Sequence, residues 1–411
     1  MLNQYYPPDT SATAPITQDV AQALAKKHSV TVVCGRPSYA PTERHPYYLL
    51  RRTVEEGINV HRVGATAFHR RGKVGRILNY LSFLVLGFLR ILTISPKPDV
   101  IIAMTDPPVV AIVGALAAFL RRCRFVYNIR DLHPDMAIAA GFTIPAPVRI
   151  VWETTHRWAL RRADLVIALG EDMRDRVLEK GIAPDRVVVV RDGAWPLAQS
   201  QHDGADIVKK IRGDAKFVLL HAGNIGFAGN WETLVEAARQ LEKEDVGLTF
   251  VGDGARRKEL EVEARGVNNI RFLPFFPSDD ISSVLAAADM HVVAIRPGIE
   301  GLVVPSKLYP ILMAGKPVLV LGSENTDAAR VVQQAECGIV VAPDDVSGVV
   351  SRVRELVQKP EQLIVMGQKA LSFSTRFSRE KELSRYIAYI ETIGCSRSGE
   401  SNAKPESGDD E

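Results

Sequence analysis

Short apolar runs of strand length alternate along the chain with longer segments in which apolar residues recur every three or four positions. The short runs are typical of buried strands, and the periodic segments are typical of amphipathic helices. Strands separated by helices of this length predict parallel sheets with helices on both faces. Because the alternation occurs in two successive series, we predict an α/β protein with two doubly wound, Rossmann-like domains facing each other across a cleft.

The two series differ slightly in length. Strands of the first are expected at 28–34, 99–104, 124–129, 165–169 and 186–190, and its helices at 16–27, 77–92, 109–120, 148–162 and 172–180. Strands of the second are expected at 217–221, 247–251, 270–273, 290–294, 318–321 and 338–341. Its helices are expected at 231–241, 256–265, 281–288, 307–314, 327–334 and 346–358.

Composition marks the predicted boundaries. The polar stretch 198–205 is the predicted linker, and the C-terminal end is poor in apolar residues and should be disordered. The predicted division is an N-terminal domain at 1–197, a C-terminal domain at 198–375, a helix at 376–394 and a tail at 395–411. The first strand ought to precede Pro7 and Pro8, where only six residues remain. Either that strand is shortened or translation begins upstream of Met1.

Length, charge and cysteine usage exclude several classes of protein. At 411 residues and 46% hydrophobic composition, the chain is long enough to bury a core in each of two domains. A net charge of +3 is too small to indicate a nucleic-acid partner. Four widely spaced cysteines without metal-ligand spacing predict reduced thiols, with no disulfide framework and no bound metal. No basic and then apolar leader follows Met1, which indicates a cytoplasmic protein.

The most apolar segment, 77–94, bears on membrane contact. Its longest charge-free run, 77–89, is 13 residues and therefore short of the ~18 that a bilayer span needs. Just upstream, H69-R-R-G-K-V-G-R76 contains four cations, Arg70, Arg71, Lys73 and Arg76. Cations followed by an amphipathic helix favour peripheral contact with an anionic membrane surface. A core helix with a solvated basic lead-in remains the alternative.

Two glycine loops follow predicted strands of the second half, where ligands of such sheets bind. The loop A222-G-N-I-G-F-A-G229 can bring backbone close to a phosphate, although it is not the dinucleotide pattern G-x-G-x-x-G. In V251-G-D-G-A-R-R257, two cations stand at a helix start, where they oppose the helix dipole unless an anion binds nearby.

The stretch 298–320 supplies a third loop at the same edge. It scans as a loop, a short helix and a buried strand, with Ser306 as the predicted N-cap. Gly315 is predicted to end the helix in the left-handed conformation, with Pro317 just beyond. The three loops together predict one anion-binding edge, although any helix–strand connection of such a domain shares these features.

Charged and rigid loops follow two strands of the first half. R130-D-L-H-P-D135 places Arg, His and two carboxylates at a strand's carboxyl end, which suits acid–base work or hydroxyl binding. A charged turn that only caps the next segment is the alternative. M104-T-D-P-P108 also follows a strand, and its proline pair should fix a rigid loop.

In this order, these motifs resemble the family 4 glycosyltransferases of the GT-B fold. The likeness is strongest to the branch that builds bacterial surface polysaccharides, including the N-acetylfucosamine transferases of O-antigen synthesis. It covers roughly residues 1–390. The motifs that carry it are Q4-Y-Y-P-P-D-T-S-A-T-A14, T105-D-P-P108, R130-D-L-H-P-D135, H221-A-G-N-I-G226, V251-G-D-G254, V304-P-S-K-L-Y309 and A314-G-K-P-V318.

The resemblance implies a retaining glycosyltransferase that moves a sugar from a nucleotide diphosphate-sugar to a lipid-linked or saccharide acceptor. The enzyme would act in cell-surface polysaccharide synthesis at the inner face of the cell membrane. The C-terminal domain would bind the donor and the N-terminal domain the acceptor, and the helix at 376–394 would cross back to the N-terminal domain. No cofactor or metal would be needed, because helix ends and cations would balance the diphosphate charge.

The resemblance also implies roles for individual residues. Arg130 and Asp131 would contact the reacting sugar or the acceptor hydroxyl, and Glu300 would hold donor sugar hydroxyls. The remaining donor-binding residues would be Gly223, Asn224, Gly252, Arg256, Pro305, Ser306 and Lys307. The acceptor side would include Ser11, Asp106 and Asp135.

The chain departs from the family pattern at four motifs. The family's glycine pair is replaced by S11-A-T13, and its basic pair has no counterpart in G226-F-A-G-N230. Pro310 stands where the family has a ribose-binding Glu, and Arg130 stands where it has an active-site His. Two alternatives therefore stay open, a non-hydrolysing nucleotide-sugar 2-epimerase and a catalytically weakened relative that binds without turnover. The stretch 69–94 argues against the epimerase, which has no need of a membrane.

Overall fold

The structure, a computed structural model, describes residues 1–38, 48–68, 73–198, 202 and 204–395, with Lys73 and Cys395 described by their backbone alone. Several segments singled out in the sequence lie outside these ranges. They are the basic residues 69–72, residues 199–201 and 203 of the predicted linker, and residues 396–411 of the predicted tail.

Strands and helices alternate through the described part of the first half. The strands are β1 (Thr31–Cys34), β2 (Leu50–Glu55), β3 (Ile58–Val63), β4 (Val100–Ala103), β5 (Arg124–Asn128), β6 (Leu165–Ala168) and β7 (Val187–Val189). The helices are α1 (Thr13–Ala25), α2 (Lys73–Leu92), α3 (Val110–Arg121), α4 (Asp135–Ala139), α5 (Ala146–Arg162) and α6 (Glu171–Glu179).

The second half continues the alternation and ends in helices. Its strands are β8 (Phe217–Ala222), β9 (Val246–Val251), β10 (Ile270–Leu273), β11 (Met290–Ala294), β12 (Val318–Leu321) and β13 (Gly338–Val341). Its helices are α7 (Gly204–Arg212), α8 (Glu232–Gln240), α9 (Arg257–Glu263), α10 (Ile281–Ala286), α11 (Leu308–Met313), α12 (Asp327–Ala335), α13 (Val346–Gln358), α14 (Pro360–Ser374) and α15 (Arg379–Cys395).

The first residues of the chain lie between the two strand groups of the first half, which have the orders β1-β3-β2 and β4-β5-β6-β7. Leu2 forms parallel bridges to Val33 of β1 and to Ala103 of β4. Parallel pairing continues from β4 through β7, as predicted. These pairings put the carboxyl ends of the parallel strands at one edge, where the loops after β4 and β5 begin.

The hairpin of β2 and β3 departs from the prediction of purely parallel pairing. β2 pairs antiparallel with β3, through a turn in which Glu56 and Gly57 have φ of +51° and +80°. Positive φ at both central residues is typical of a tight hairpin turn. The segment L50-R-R-T-V-E55 has three polar residues in a row, so it lacks the continuous apolar run on which the other strand predictions relied.

The second half forms a six-stranded parallel sheet of order β10-β9-β8-β11-β12-β13. Four of its strands, β10 to β13, have the predicted bounds. Two helices were not predicted, α7 and α14, and α7 begins at Gly204, inside the predicted linker. The sheet order places β9, β8 and β11 side by side, so the loops that follow these strands share one edge.

Helices cover both faces of the first sheet. Phe83 of α2 and Leu160 of α5 belong to the core on one face, and Val20 of α1 and Tyr386 of α15 belong to the core on the other. The C-terminal helix α15 therefore packs against the first half, and its first residue, Arg379, contacts Asp19 at 3.0 Å. The roles assigned to residues 1–197 and 198–375 stay predictions.

Helix α2 is longer than its charge-free run suggested. Among the described residues, one helical segment, Val74–Leu92, is long and apolar enough to cross a membrane by length and composition, and 28% of it is buried. The expectation that this segment is too short is therefore wrong, because Arg76 and Arg90 interrupt the apolar run without ending the helix. Core helices pass the same test, so length alone assigns no membrane span.

Candidate active site

The loops after β8 and β9 are in direct contact at the carboxyl edge of the second sheet. Gly252 has a φ of +146°, and a Cβ atom placed there would lie 1.9 Å from the carbonyl oxygen of Gly223. Glycine is therefore required at this position for the two loops to pack. The Gly223 amide donates to the Val251 carbonyl at 2.9 Å, and Gly223 has a φ of +138°. The result is a closely packed pair of glycine turns at the strand ends, in which Gly223 is half-buried and Gly252 is buried.

Lys307 brings the third loop to the same glycine turns. Its Nζ lies 3.2 Å from Nε2 of His221 and 3.3 Å from the position that a Cβ at Gly223 would occupy. Burial lowers the pKa of the Lys307 amine to about 7. Burial, and next the charge of Lys307, hold the pKa of His221 well below its usual range, so His221 is a neutral neighbour. The three predicted loops thus meet around one buried amine.

The helix after this loop starts later than predicted. Helix α11 begins at Leu308 with Lys307 at the N-cap position, and no side chain caps it. The prediction that Ser306 is the N-cap is therefore wrong, because Pro305 and Ser306 form a turn before the helix. Ser306 is exposed and Pro305 is half-buried. The predicted helix end is confirmed, since Gly315 has a φ of +62°.

Arg256 and Asn224 differ in their surroundings. The buried Arg256 contacts Glu232 and Glu259, both at 2.7 Å, so two carboxylates balance its charge. The dipole argument expected an anion near this cation, and the structure supplies it from within the chain. Asn224 is exposed beside the glycine turns, and its Oδ1 lies 2.6 Å from where a Cβ at Gly254 would stand.

Polar side chains line the carboxyl edge of the first sheet. Asp106, after β4, accepts a hydrogen bond from the Thr13 hydroxyl at 2.5 Å. The Thr13 hydroxyl also lies 3.3 Å from that of Ser11. The structure thus brings together two of the predicted acceptor-side residues, Ser11 and Asp106, through Thr13 at the start of α1.

Asp131 and Glu300 come together across the two halves. Asp131 forms an antiparallel bridge with Val303, and Glu300 forms a parallel bridge with the same residue. Burial, and next the charge of Asp106, raise the pKa of the Asp131 carboxyl to about 6, although Arg130 acts in the opposite direction. A carboxylate with this pKa changes its charge close to neutral pH.

Arg130 forms a buried ion pair with Asp192. Both terminal nitrogens of Arg130 contact the Asp192 carboxylate, and the side chains are 9% and 8% exposed. A bidentate pair of this kind fixes the guanidinium and balances its charge. Arg379 at the start of α15 donates to the Asp192 carbonyl at 2.8 Å and extends the cluster.

Asp135 belongs to a different part of the interface. It contacts Lys180 at 2.7 Å, and the buried Lys180 also contacts Glu153 at 3.0 Å. Asp135 and Lys180 line a cavity of about 480 Å³ that the second half closes with Gly298 and Leu302. Among the described residues, no group of three His, Cys, Asp or Glu side chains could hold a metal ion.

Two residues of the site were missed as participants in the sequence. His221 stands in the quoted motif H221-A-G-N-I-G226, but no role was assigned to it. Its place beside Lys307, 86 positions along the chain, depends on the sheet order. Asp192 lies 62 positions from Arg130 and just after β7, and no local pattern links the two residues.

Solved structures share this architecture over nearly the whole chain. Anabaena Alr3699/HepE in complex with UDP and glucose has a TM-score of 0.67 at 18% identity, and the match covers 95% of this chain and 98% of that one. Sucrose-phosphate synthase from Thermosynechococcus elongatus has a TM-score of 0.70 at 13% identity, with 93% and 94% coverage. The fold is therefore that of the GT-B glycosyltransferases.

Sequence families agree with the fold. Residues 11–193 match the family described as "Glycosyl transferase 4-like domain", and residues 216–359 match "Glycosyl transferases group 1". The chain belongs to the family 4-like glycosyltransferases, and it is a glycosyltransferase.

Two curated relatives carry related names. The Escherichia coli (strain K12) protein "Putative colanic acid biosynthesis glycosyl transferase WcaI" is 26% identical over 398 residues, which are 93% of this chain and 97% of the relative. The Pseudomonas aeruginosa protein "Probable glycosyltransferase WbjE" is 22% identical, over 73% of this chain and 75% of the relative.

Proposed function

We propose that this protein is a retaining glycosyltransferase of cell-surface polysaccharide synthesis. It moves a sugar from a nucleotide diphosphate-sugar to a lipid-linked or saccharide acceptor in the cytoplasm, at the inner face of the membrane. The observation that carries this proposal is the place of the Lys307 amine, 3.3 Å from the position of a Cβ at the half-buried Gly223. The full-length relative named for colanic acid biosynthesis and the UDP complexes of a protein with the same fold support the pathway and the type of donor.

The donor diphosphate lies on the glycine turns in this proposal. Lys307 supplies the positive charge, and Gly223 and Asn224 supply backbone that can approach the phosphates. Gly252, which is buried, lets the two loops pack closely enough to form the site. An ammonium that is buried without a carboxylate is costly, and a bound anion removes that cost. As the sugar–phosphate bond breaks, negative charge grows on the leaving diphosphate, and a fixed cation is most effective there.

We assign different parts to the other cationic candidates. Arg256 is held by Glu232 and Glu259, so it shapes the loop after β9 and contributes little net charge to the donor. Arg130 is held by Asp192, so it positions Asp131 beside it. Pro305 and Ser306 contribute the turn that delivers Lys307 to the glycine turns.

The acceptor and the sugar lie between the two sheet edges. Asp131 and Asp106 accept hydrogen bonds from the acceptor hydroxyl, and Glu300 holds hydroxyls of the donor sugar. The shared neighbour Val303 supports this placement of Asp131 and Glu300. Ser11 helps to position the Asp106 carboxylate, because the Thr13 hydroxyl contacts both residues. Asp135 forms part of the wall of the interface cavity through its ion pair with Lys180.

Peripheral membrane contact through 69–94 is part of the same proposal. Six side chains of α2 are apolar and exposed on its outer face: Val74, Ile77, Leu78, Leu81, Val85 and Leu89. The opposite face of the same helix packs into the core through Phe83 and Ile91. A core helix and a membrane-contacting helix are therefore compatible interpretations of α2, because one face packs in the core and the other is available to a membrane.

The test is a product assay with membrane lipid extract and a panel of UDP- and GDP-activated sugars. The resemblance to N-acetylfucosamine transferases makes an N-acetylated deoxyhexose the first donor to try. We expect labelled lipid or saccharide product whose anomeric configuration equals that of the donor. Inverted product would refute retention, and 2-epimer without transfer would favour the epimerase. Donor binding without any turnover would favour a catalytically weakened relative of the transferases. Pro310, in place of the ribose-binding Glu, is consistent with that alternative.

A further inference from the structure

A large cavity lies away from the candidate active site, and none of the candidate site residues lines it. It measures about 750 Å³ and is lined by the C-terminal ends of α3 and α5 and by the residues that open β5, β6 and β7. Helices of this fold run antiparallel to the strands, so these ends lie at the amino edge of the first sheet. The donor and acceptor loops lie at the carboxyl edge. The cavity is therefore a second concave site, which the glycosyl transfer does not use.

Arginine dominates this cavity, which we name the arginine pocket. Five arginines line it: Arg122, Arg124, Arg161, Arg162 and Arg186. Asp164 is the one acidic residue among the described residues that line it, and it pairs with Arg124 at 2.7 Å. The pocket therefore carries a net charge of about four positive units, which attracts an anion of more than one charge.

Helix ends explain only part of this cluster. Cations are favoured near the C-terminal end of a helix, and that accounts for Arg122, Arg161 and Arg162. Arg186 ends a short 3-10 helix, Pro184–Arg186, and Arg124 comes instead from the start of β5, where no such preference applies. Arg186 donates to the Arg161 carbonyl at 3.2 Å and thereby brings a further charge to the same opening. Concentrating like charges is unfavourable without an anionic partner.

An apolar surface borders the arginine pocket. The α3 side chains Leu116, Phe119 and Leu120 are 39%, 55% and 53% exposed, and Phe119 and Leu120 also line the pocket. The Arg162 guanidinium lies 4.8 Å from the centre of the Phe119 ring. Helix α2 packs beside α3, and the Arg121 side chain ties their ends by donating to the Leu92 and Ile94 carbonyls. The exposed stripe of α2 therefore continues this surface.

A bilayer leaflet supplies partners for both features. Its acyl region accepts exposed apolar side chains of a helix that lies in the interface, and its headgroups present phosphates next to that region. Guanidinium groups bind phosphate through paired hydrogen bonds. A nucleic acid would match the arginines and leave the apolar stripe of α2 in water. Charge and apolar area together favour the phospholipid surface.

We propose that the arginine pocket binds the phosphate of an anionic phospholipid headgroup in a leaflet on which the outer faces of α2 and α3 rest. The inference depends on the membrane contact proposed above and extends it to a specific headgroup site. A headgroup bound in the pocket would then leave the active site accessible, since the pocket and the active site lie at opposite edges of the sheet.

Vesicle co-sedimentation tests the pocket with the full-length protein. Vesicles of phosphatidylcholine alone are compared with vesicles that also contain phosphatidylglycerol. The variant R161Q/R162Q/R186Q removes three exposed charges of the pocket, and K243Q/K258Q/R265Q removes three exposed charges from the second half. Each basic residue near an anionic leaflet strengthens binding about fivefold, so the pocket variant should bind anionic vesicles at least about tenfold more weakly. The control variant should stay within about twofold of the wild type.

The outcomes separate the two proposals. Equal binding of the pocket variant and the control variant would overturn the headgroup site and leave the membrane contact standing. Absence of wild-type binding to either vesicle would refute both, whereas product formation in detergent would still support the transferase. Inorganic phosphate, but not chloride of equal ionic strength, should release the protein from anionic vesicles, because phosphate competes with the headgroup for the same arginines. Equal release by both anions would overturn a phosphate site in the pocket. L81S/V85S should weaken binding to both kinds of vesicle.

Discussion

The two sheet edges that form the cleft have opposite chemical characters. The edge of the second sheet has the closely packed glycine turns of Gly223 and Gly252 and one amine, Lys307, whose pKa burial lowers to about 7. The edge of the first sheet presents carboxylates, Asp106 and Asp131. Both edges arise from the same construction, in which loops follow parallel strands, so the fold itself does not decide their chemistry.

This difference separates the two tasks of a transferase. A diphosphate needs close backbone and positive charge, and carboxylates at the same edge would repel it. An acceptor hydroxyl needs a hydrogen-bond acceptor, which a carboxylate provides. Two of the arginines at these edges are neutralised by their own partners, Arg256 by two glutamates and Arg130 by Asp192. The contrast therefore rests on Lys307 and Asp131.

The largest effect should come from removing the amine. Lys307→Ala should weaken affinity for a nucleotide diphosphate-sugar by about a hundredfold, in the range measured when a charged partner is removed from a buried ionic contact. The melting temperature of the variant should stay at or above that of the wild type, because the substitution removes an amine that is costly to bury. Isothermal titration calorimetry and thermal unfolding measure the two quantities.

A lysine of the same sheet provides the control for that measurement. Lys316 donates to the Ala288 carbonyl at 2.8 Å, at the amino edge of the second sheet. Lys316→Ala removes a half-buried amine from the opposite edge and should leave donor affinity unchanged. Equal losses of affinity in both variants would mean that the diphosphate site is misplaced.

A smaller effect is expected at the other edge. Asp131→Asn keeps the shape of the side chain and removes its charge, so kcat/KM for the acceptor should fall about tenfold, the effect of losing one charge-assisted hydrogen bond. Donor affinity should stay constant. Asp185→Asn, which changes an exposed carboxylate before β7, is the matched control. A loss of donor affinity in Asp131→Asn would show that the edges do not divide the work as proposed.

Local patterns predicted the elements and the loops but not the pairings. Strands β10 to β13 have their predicted bounds. The clearest of them is β12, a continuous apolar run whose four residues are all buried, as expected when both faces of a sheet are covered. The hairpin was missed because charged residues interrupt the apolar pattern of β2. The glycine loops could be predicted because two backbone segments that pack this closely require glycine, as at Gly252.

The charge states of the site lay beyond sequence reasoning. Arg256 and Glu259 are three positions apart, and this pair could have been anticipated from helical spacing. Glu232, Asp192 and His221 reach their partners only through the packing of separate strands and helices. Whether an arginine offers its charge to a ligand depends on such partners, and so the neutralisation of Arg130 and Arg256 was not foreseen.

A pH dependence of no larger size distinguishes the two edges in one protein. Because an anionic donor binds the protonated amine, and the pKa of Lys307 is lowered to about 7, affinity should fall about tenfold between about pH 6 and pH 8. A nucleotide diphosphate-sugar is the suitable probe, since its two phosphates keep their charge across this range. Transfer at saturating donor should change in the opposite direction. It should rise as Asp131 ionises, with a midpoint near the pKa of about 6.

Each variant should abolish one of these two dependences and keep the other. Lys307→Ala should flatten the affinity profile, because the group that titrates is gone, while the rise of the transfer rate remains. Asp131→Asn should flatten the rise of the rate and retain the fall in affinity. If the affinity profile of Lys307→Ala kept the wild-type slope, another group would supply the charge. The assignment of the anion-binding role to the edge with the buried amine would then be wrong.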